Sequence, residues 1–216
     1  MAESKQGPGL RELGVDLALV FAVDVSSSVD AGDYKLQMDG IAAALRQPLT
    51  LQYVQSGAQQ KIAISVVQWS TAKRQVVTLP WQVLANGSGI ESAAHRIETE
   101  PRQWSPGGTG MAAMIVFCAG LLKSFPIAAR RKLIDVSGDG EDNEGGNVAL
   151  ARAGALAGGF TINGLPILDG STAIEAYYRD KIIGGPGSFV EPAENMMAFG
   201  AAMERKLLRE LQDLSA

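Results

Sequence analysis

The chain has 216 residues, 46% hydrophobic and 19% charged, with a net charge of −4 and a sequence pI ≈ 5.1. That length fits one domain with an ample core, and the composition argues against disorder. The acidic balance argues against nucleic acid, whose binders show a basic face; one histidine, His95, and one cysteine, Cys118, leave no disulfide, no zinc cluster and no Ser-His-Asp triad.

Residues 1–13 are polar and contain Gly and Pro, so they are expected as a tail ahead of a domain spanning 14–216. As written, the start has no signal peptide: its apolar run has no basic leader and no small-residue cleavage site. That run predicts a buried strand over Asp16–Val23, and Gly32–Arg46 follows with helical spacing at Tyr34, Met38, Ile41 and Leu45. Lys61–Trp69 and Gln75–Leu79 read as strands joined by a short turn, which implies an antiparallel hairpin at a sheet edge. Gly89–Thr99 is a polar helix, and Gly110–Phe125 is apolar nearly all round, so it is expected to be buried. The longest uncharged stretch, Gln103–Leu122, is broken by Pro106-Gly107-Gly108, so no membrane span is expected.

Lys132–Ser137 is the next strand, ending in Gly138-Asp139-Gly140. A helix over Asn147–Ala157, a strand over Phe160–Ile167 and a short helix over Ser171–Asp180 follow. Ser188–Val190 reads as a short edge strand, and Glu194–Leu214 as an amphipathic helix with the stripe Met196, Phe199, Met203, Leu207, Leu211, Leu214. The alternation predicts a doubly wound α/β fold: a mostly parallel sheet of about six strands, one edge strand antiparallel, with helices on both faces.

Open α/β sheets bind ligands beyond the carboxyl ends of their strands. Three segments place polar residues there: Asp24, Ser26 and Ser28 after the first strand, Thr109 before the apolar helix, and Asp139 after Lys132–Ser137. Two carboxylates and three hydroxyls make a hard-oxygen set suited to Mg²⁺, Mn²⁺ or Ca²⁺. The nearby Asp139–Gly145 loop is no EF-hand, since Glu144 and Leu150 stand where that motif needs glycine and glutamate. Asp135 lies inside a strand, and a buried Asp must find partners or protonate. A structural role is expected for it, with Asn163 on the neighbouring strand as hydrogen-bond partner.

Asp-x-Ser-x-Ser at 24–28, Gly-Gly-Thr at 107–109 and the strand-terminal Asp139-Gly140 together resemble the metal-ion-dependent adhesion site of von Willebrand factor A domains, in the same order. The resemblance covers about residues 14–214. It implies that Asp24, Ser26, Ser28, Thr109 and Asp139 hold the ion, most simply Mg²⁺. It also implies that an acidic side chain of a protein partner completes the shell, and that the domain is not an enzyme. AVDVSSSVD, IDVSGDGEDN, TINGLPIL and AYYRDKIIGGPGSFV are closer still to a bacterial group of such proteins of unknown function, whose members look exported. A periplasmic or exported location follows from that resemblance.

Two alternatives remain at this level. One is a von Willebrand factor A scaffold that keeps its polar loops as turns and helix caps without metal. The other is a Mg²⁺-dependent phosphatase of haloacid dehalogenase type, with Asp24 as nucleophile and Asp139 with Asp142 as metal ligands. Such an enzyme needs an acid two positions after the nucleophile, and this chain has Ser26 there.

Overall fold

Strand β1 (Gly14–Asp24) is buried along its whole length, as a continuous apolar run flanked by parallel neighbours requires. It lies in the middle of a five-stranded sheet in a computed structural model that describes residues 14–104, 107–212 and 214. The expected tail over 1–13 lies outside the described residues. The strand order is β3-β2-β1-β4-β5, with β2 (Ile62–Trp69), β3 (Gln75–Leu84), β4 (Ala128–Gly138) and β5 (Thr161–Pro166). The β1–β2, β1–β4 and β4–β5 pairs are parallel, and β3 runs antiparallel to β2. Strand order therefore reverses at β1, which puts Asp24 at the switch point.

Helices cover both faces. Residues of α1 (Ala31–Arg46), α3 (Gly87–Thr99) and α7 (Phe199–Gln212) form one core with odd-numbered β1 residues such as Leu17, Leu19 and Phe21. Residues of α4 (Met111–Lys123) and α5 (Val148–Ala157) form the other with Ala18, Val20 and Ala22. This is the doubly wound α/β architecture expected from the strand–helix alternation.

Several details differ from that expectation. The sheet has five strands and not six. The segment expected as the strand Ser188–Val190 meets β5 through one bridge, Gly164 to Val190, and its flanks make single bridges from Gly184 to Ile162 and from Ala193 to Ile167 just past β5. Gly185 and Gly187 take positive φ (92° and 68°), and Pro186 and Pro192 lack an N–H, so no continuous ladder forms. A further helix, α2 (Pro48–Ser56), follows α1 directly, with Pro at its start. The helix expected over Ser171–Asp180 is α6 (Thr172–Tyr177) followed by a π-helical turn, Tyr178–Ile182. The apolar helix α4 is not buried all round: Val116 is 61% exposed, because the outer side of its layer faces water.

Asp135 is fully buried, and its partner is a residue absent from the sequence expectation. Lys206 Nζ on α7 lies 2.5 Å from Asp135 Oδ1 and 2.6 Å from Glu210 Oε1, all three side chains being sealed from solvent. Asn163 sits beside Asp135 in the β4–β5 register, yet its Nδ2 donates to Glu210 Oε1 at 2.9 Å. Burial raises the Asp135 carboxyl and the Lys206 ammonium draws it down, while Glu210 adds to the rise. Asp135 is thus a structural residue, with Lys206 in the place expected for Asn163.

Candidate functional site

Three loops meet at the C-terminal edge of the sheet. The first begins where β1 ends. Asp24 Oδ1 accepts the Ser26 N–H at 2.7 Å, which folds the loop back over the strand end. The Ser26 and Ser28 hydroxyls stand 3.2 Å apart, and Ser28 Oγ donates to Asp139 Oδ1 at 2.7 Å. Asp30 then opens α1 with a capping box to Asp33. Asp24 and Ser26 are buried, whereas Ser27 and Ser28 are exposed, so the group has one face toward solvent.

The second loop carries Thr109. The Ser27 N–H donates to Gly107 O at 2.9 Å, and Gly110 N–H donates to Ser70 O at 2.7 Å. The third loop follows β4 and starts with Asp139. Asn143 clasps Thr109 from both sides: Thr109 N–H donates to Asn143 Oδ1 at 2.8 Å, and Asn143 N–H donates to Thr109 O at 3.0 Å. The Thr109 Oγ1 lies 3.4 Å from where a side chain on Gly140 would begin, so it faces the third loop. Among the described residues its hydroxyl has no hydrogen bond to the other four.

The structure therefore links Asp24, Ser26, Ser28 and Asp139 in one hydrogen-bonded chain and brings Thr109 against the same loop. Among the described residues no three of His, Cys, Asp and Glu gather as a metal cluster. The donors here are two carboxylates among hydroxyls, the kind of set that hard cations take. Asp24 Oδ2 is buried and, among the described residues, has no hydrogen-bond partner. A buried carboxylate oxygen left bare is costly, and a cation would offset that cost.

The electrostatics point the same way. Burial raises the Asp24 carboxyl to about 7, opposed by the Ser26 N–H and reinforced by the charge of Asp139. Burial also raises Asp139, against the hydrogen bond from Ser28, and Asp169 and Asp33 add repulsion. A carboxyl raised in the fold binds its proton more tightly there than in the unfolded chain. Its contribution to stability is complete below the ordinary carboxyl range and is lost as pH rises toward about 7. Melting curves of the protein in EDTA should therefore show this site's contribution falling between pH 5 and 8. A contribution that is the same at pH 5 and pH 8 would refute that linkage.

Asp142 has a different task from a metal ligand. Its Oδ1 accepts the Ala112 N–H at 3.2 Å and its Oδ2 the Gly146 N–H at 3.2 Å. It caps α4 from a distance, since Gly110 at the N-cap has no side chain to do so. Both oxygens are thus engaged where a phosphatase would need metal ligation. Further supporting residues escape sequence reasoning. Arg102 donates to the Val25 and Ser26 carbonyls at 3.1 and 2.9 Å, and Gln37 Nε2 donates to Asp24 O at 3.0 Å. Only the proximity created by folding marks them.

The family described as Protein of unknown function (DUF1194) matches residues 14–215. A search of curated proteins gives no match. Among solved structures, the mussel byssus proximal thread matrix protein 1 with a zinc-occupied MIDAS motif is 17% identical with a TM-score of 0.65; the alignment covers 94% of this chain and 49% of that one. A von Willebrand factor type A protein from Catenulispora acidiphila is 17% identical at a TM-score of 0.61, covering 94% of this chain and 43% of that one. The conserved hypothetical protein BatB from Bacteroides thetaiotaomicron is 14% identical at a TM-score of 0.58, covering 90% and 99%. This chain spans less than half the length of the first two. At such identities the likeness shows the fold, that of a von Willebrand factor A domain.

Proposed function

The chain belongs to the family Protein of unknown function (DUF1194) and has a von Willebrand factor A fold, and on that premise we propose that it is a cation-dependent interaction domain. Asp24, Ser26, Ser28, Thr109 and Asp139 would hold one divalent ion, Mg²⁺ in the first instance, with Mn²⁺ or Ca²⁺ as alternatives. The ion supplies a Lewis-acidic position that an acidic side chain of a protein partner can fill. The observation that carries this reading is the bare, buried Asp24 Oδ2 next to the Ser26–Ser28–Asp139 hydrogen-bond chain. A relative with a zinc-occupied site of this kind supports a divalent ion in general.

The protein's own residues do three things in this scheme. The Ser26 N–H orients Asp24 by holding Oδ1, leaving Oδ2 free. Ser28 orients Asp139. Neutral hydroxyls fill positions without cancelling the ion's charge, so it stays attractive to a carboxylate. Ser26 stands where the phosphatase would need its second acid, and both Asp142 oxygens are engaged by backbone N–H groups, which favours a binding role over that chemistry. An exported or periplasmic setting accords with the resemblance to exported bacterial proteins. No helix among the described residues is long and apolar enough to cross a membrane.

Calorimetric titration with Mg²⁺, Mn²⁺, Ca²⁺ and Zn²⁺ tests the reading. Ligand at a hundredfold its Kd adds about 2.7 kcal/mol, roughly 5–10 °C in melting temperature for a domain of this size. Asp24→Ala and Asp139→Ala should lose that response while keeping the wild-type circular dichroism. If both variants respond like the wild type, the assignment is wrong. Partner capture from the native source should occur in Mg²⁺ and vanish in EDTA. Turnover of a generic phosphate ester, abolished by Asp24→Asn, would instead establish the phosphatase.

A further inference from the structure

Tyr178 is fully buried, and among the described residues its hydroxyl has no hydrogen-bond partner. It starts the π-helical turn after α6, a distortion that often marks a functional position. Its neighbour Tyr177 accepts the Asp142 N–H at 3.2 Å through its hydroxyl, so the turn already touches the third loop of the site.

Two glycines make room for the Tyr178 ring. A Cβ on Gly164 of β5 would sit 2.6 Å from Tyr178 Cδ1. A Cβ on Gly138 of β4 would sit 2.9 Å from the Tyr178 hydroxyl and 2.8 Å from Asp24 Oδ2. Asp24, Gly138 and Gly164 share one face of the sheet by alternation. The ring thus lies across β5 and β4 on a shelf cleared of side chains. At its end, two buried polar atoms without partners, the tyrosine hydroxyl and the aspartate oxygen, flank the same point.

We propose that Tyr178 is a positioning residue of the cation site: its hydroxyl reaches Asp24 Oδ2 through one water and sets that carboxylate for the ion. This rests on the cation-binding reading above. It adds a fourth segment to a site otherwise made by three loops. It also gives a reason for glycine at both 138 and 164, where any side chain would displace the tyrosine or the aspartate. A hydroxyl donor in the layer behind a ligating carboxylate commonly changes metal affinity by 10–100-fold.

Tyr178→Phe removes the hydroxyl and keeps the ring. Its Mg²⁺ dissociation constant, measured by calorimetry, should rise about tenfold or more. In EDTA it should keep the wild-type circular dichroism while its unfolding equilibrium constant rises about threefold or more, the loss of one buried hydroxyl contact. Gly164→Ala, which keeps the hydroxyl but pushes the ring, should weaken Mg²⁺ similarly. A second readout needs no cation. In EDTA, a double-mutant cycle between Tyr178→Phe and Asp24→Asn should show non-additivity of at least about threefold in the unfolding equilibrium constant. Wild-type Mg²⁺ affinity in Tyr178→Phe, or strictly additive effects in the cycle, would overturn the proposal. A wild-type protein that gives no heat with any cation would instead overturn the cation reading itself, and the cycle would still report whether the two atoms interact.

Discussion

Lys206→Met should lower the unfolding free energy by about 3–5 kcal/mol at pH 8, the usual cost of removing one partner from a buried ion pair. Methionine matches the lysine stem in length, so the loss comes from charge and not from a cavity. Without the ammonium, Asp135 and Glu210 face each other inside the α7 layer with no cation between them. Asp135 would have to take up a proton or draw in water. Asp135 is already raised by burial, and losing Lys206 raises it further. A raised carboxyl favours the fold at low pH, so the penalty should be smaller at pH 5 than at pH 8. Urea unfolding at the two pH values checks both magnitude and sign. A variant within about 1 kcal/mol of wild type at pH 8 would show that the triad contributes little. Adding Asp135→Leu and Glu210→Gln, which retains an acceptor for Asn163, should restore most of the loss.

Gly110→Ala should cost about 1–3 kcal/mol, the range for forcing extra volume into a packed site, and should weaken the cation response as well. The new Cβ would meet Ala72 N at 2.5 Å, Thr71 C at 2.6 Å and Ala72 Cα at 2.9 Å. All three are backbone atoms of the β2–β3 turn, so no flexible side chain can yield. That turn is tied by Ser70 N–H to Arg74 O and Arg74 N–H to Thr71 O. The glycine loop must therefore give way, and Thr109 moves with it. Gly120→Ala on the outer side of α4 is the control. Its Cβ would meet nothing within 4 Å, so a gain of about 0.4–1 kcal/mol is expected. A Gly110→Ala protein with unchanged urea midpoint and Mg²⁺ affinity would contradict the close approach.

The strand–helix alternation was legible because buried parallel strands are continuous apolar runs, as in β1, and because Asp24 interrupts such a run abruptly. The three polar segments could be placed at one sheet edge for the same reason: strand ends are marked by the switch from β-branched residues to Gly, Ser and Asp. Lys206 was illegible. It and Glu210 lie within an apolar stripe of α7, and periodicity registers only apolar positions, so two buried charges there read as solvent-facing. Asp135 was flagged as needing a partner, yet the nearer candidate in register, Asn163, bonds Glu210 instead. Tyr178 could not be found by motif at all. Its contact with the site depends on two glycines on two different strands, a coincidence that only the folded sheet creates. The expected edge strand Ser188–Val190 does not form a ladder because the Gly and Pro residues of 184–192 around it interrupt regular pairing.

One margin of the sheet is occupied and the other is interrupted. On one side, segment 184–193 already occupies β5 through scattered bridges. On the other, β3 carries register shifts opposite Ile64–Val67, with Pro80 beside one of them. Polymerisation by edge-to-edge pairing would have to displace segment 184–193 or pair across the interrupted part of β3. An assembly built through a cation at the polar loop end, as proposed above, would meet no such obstacle, and a chelator would dissolve it. Treatment with EDTA thus separates two kinds of multimer: a loop-built complex falls apart, while a strand-exchanged aggregate persists.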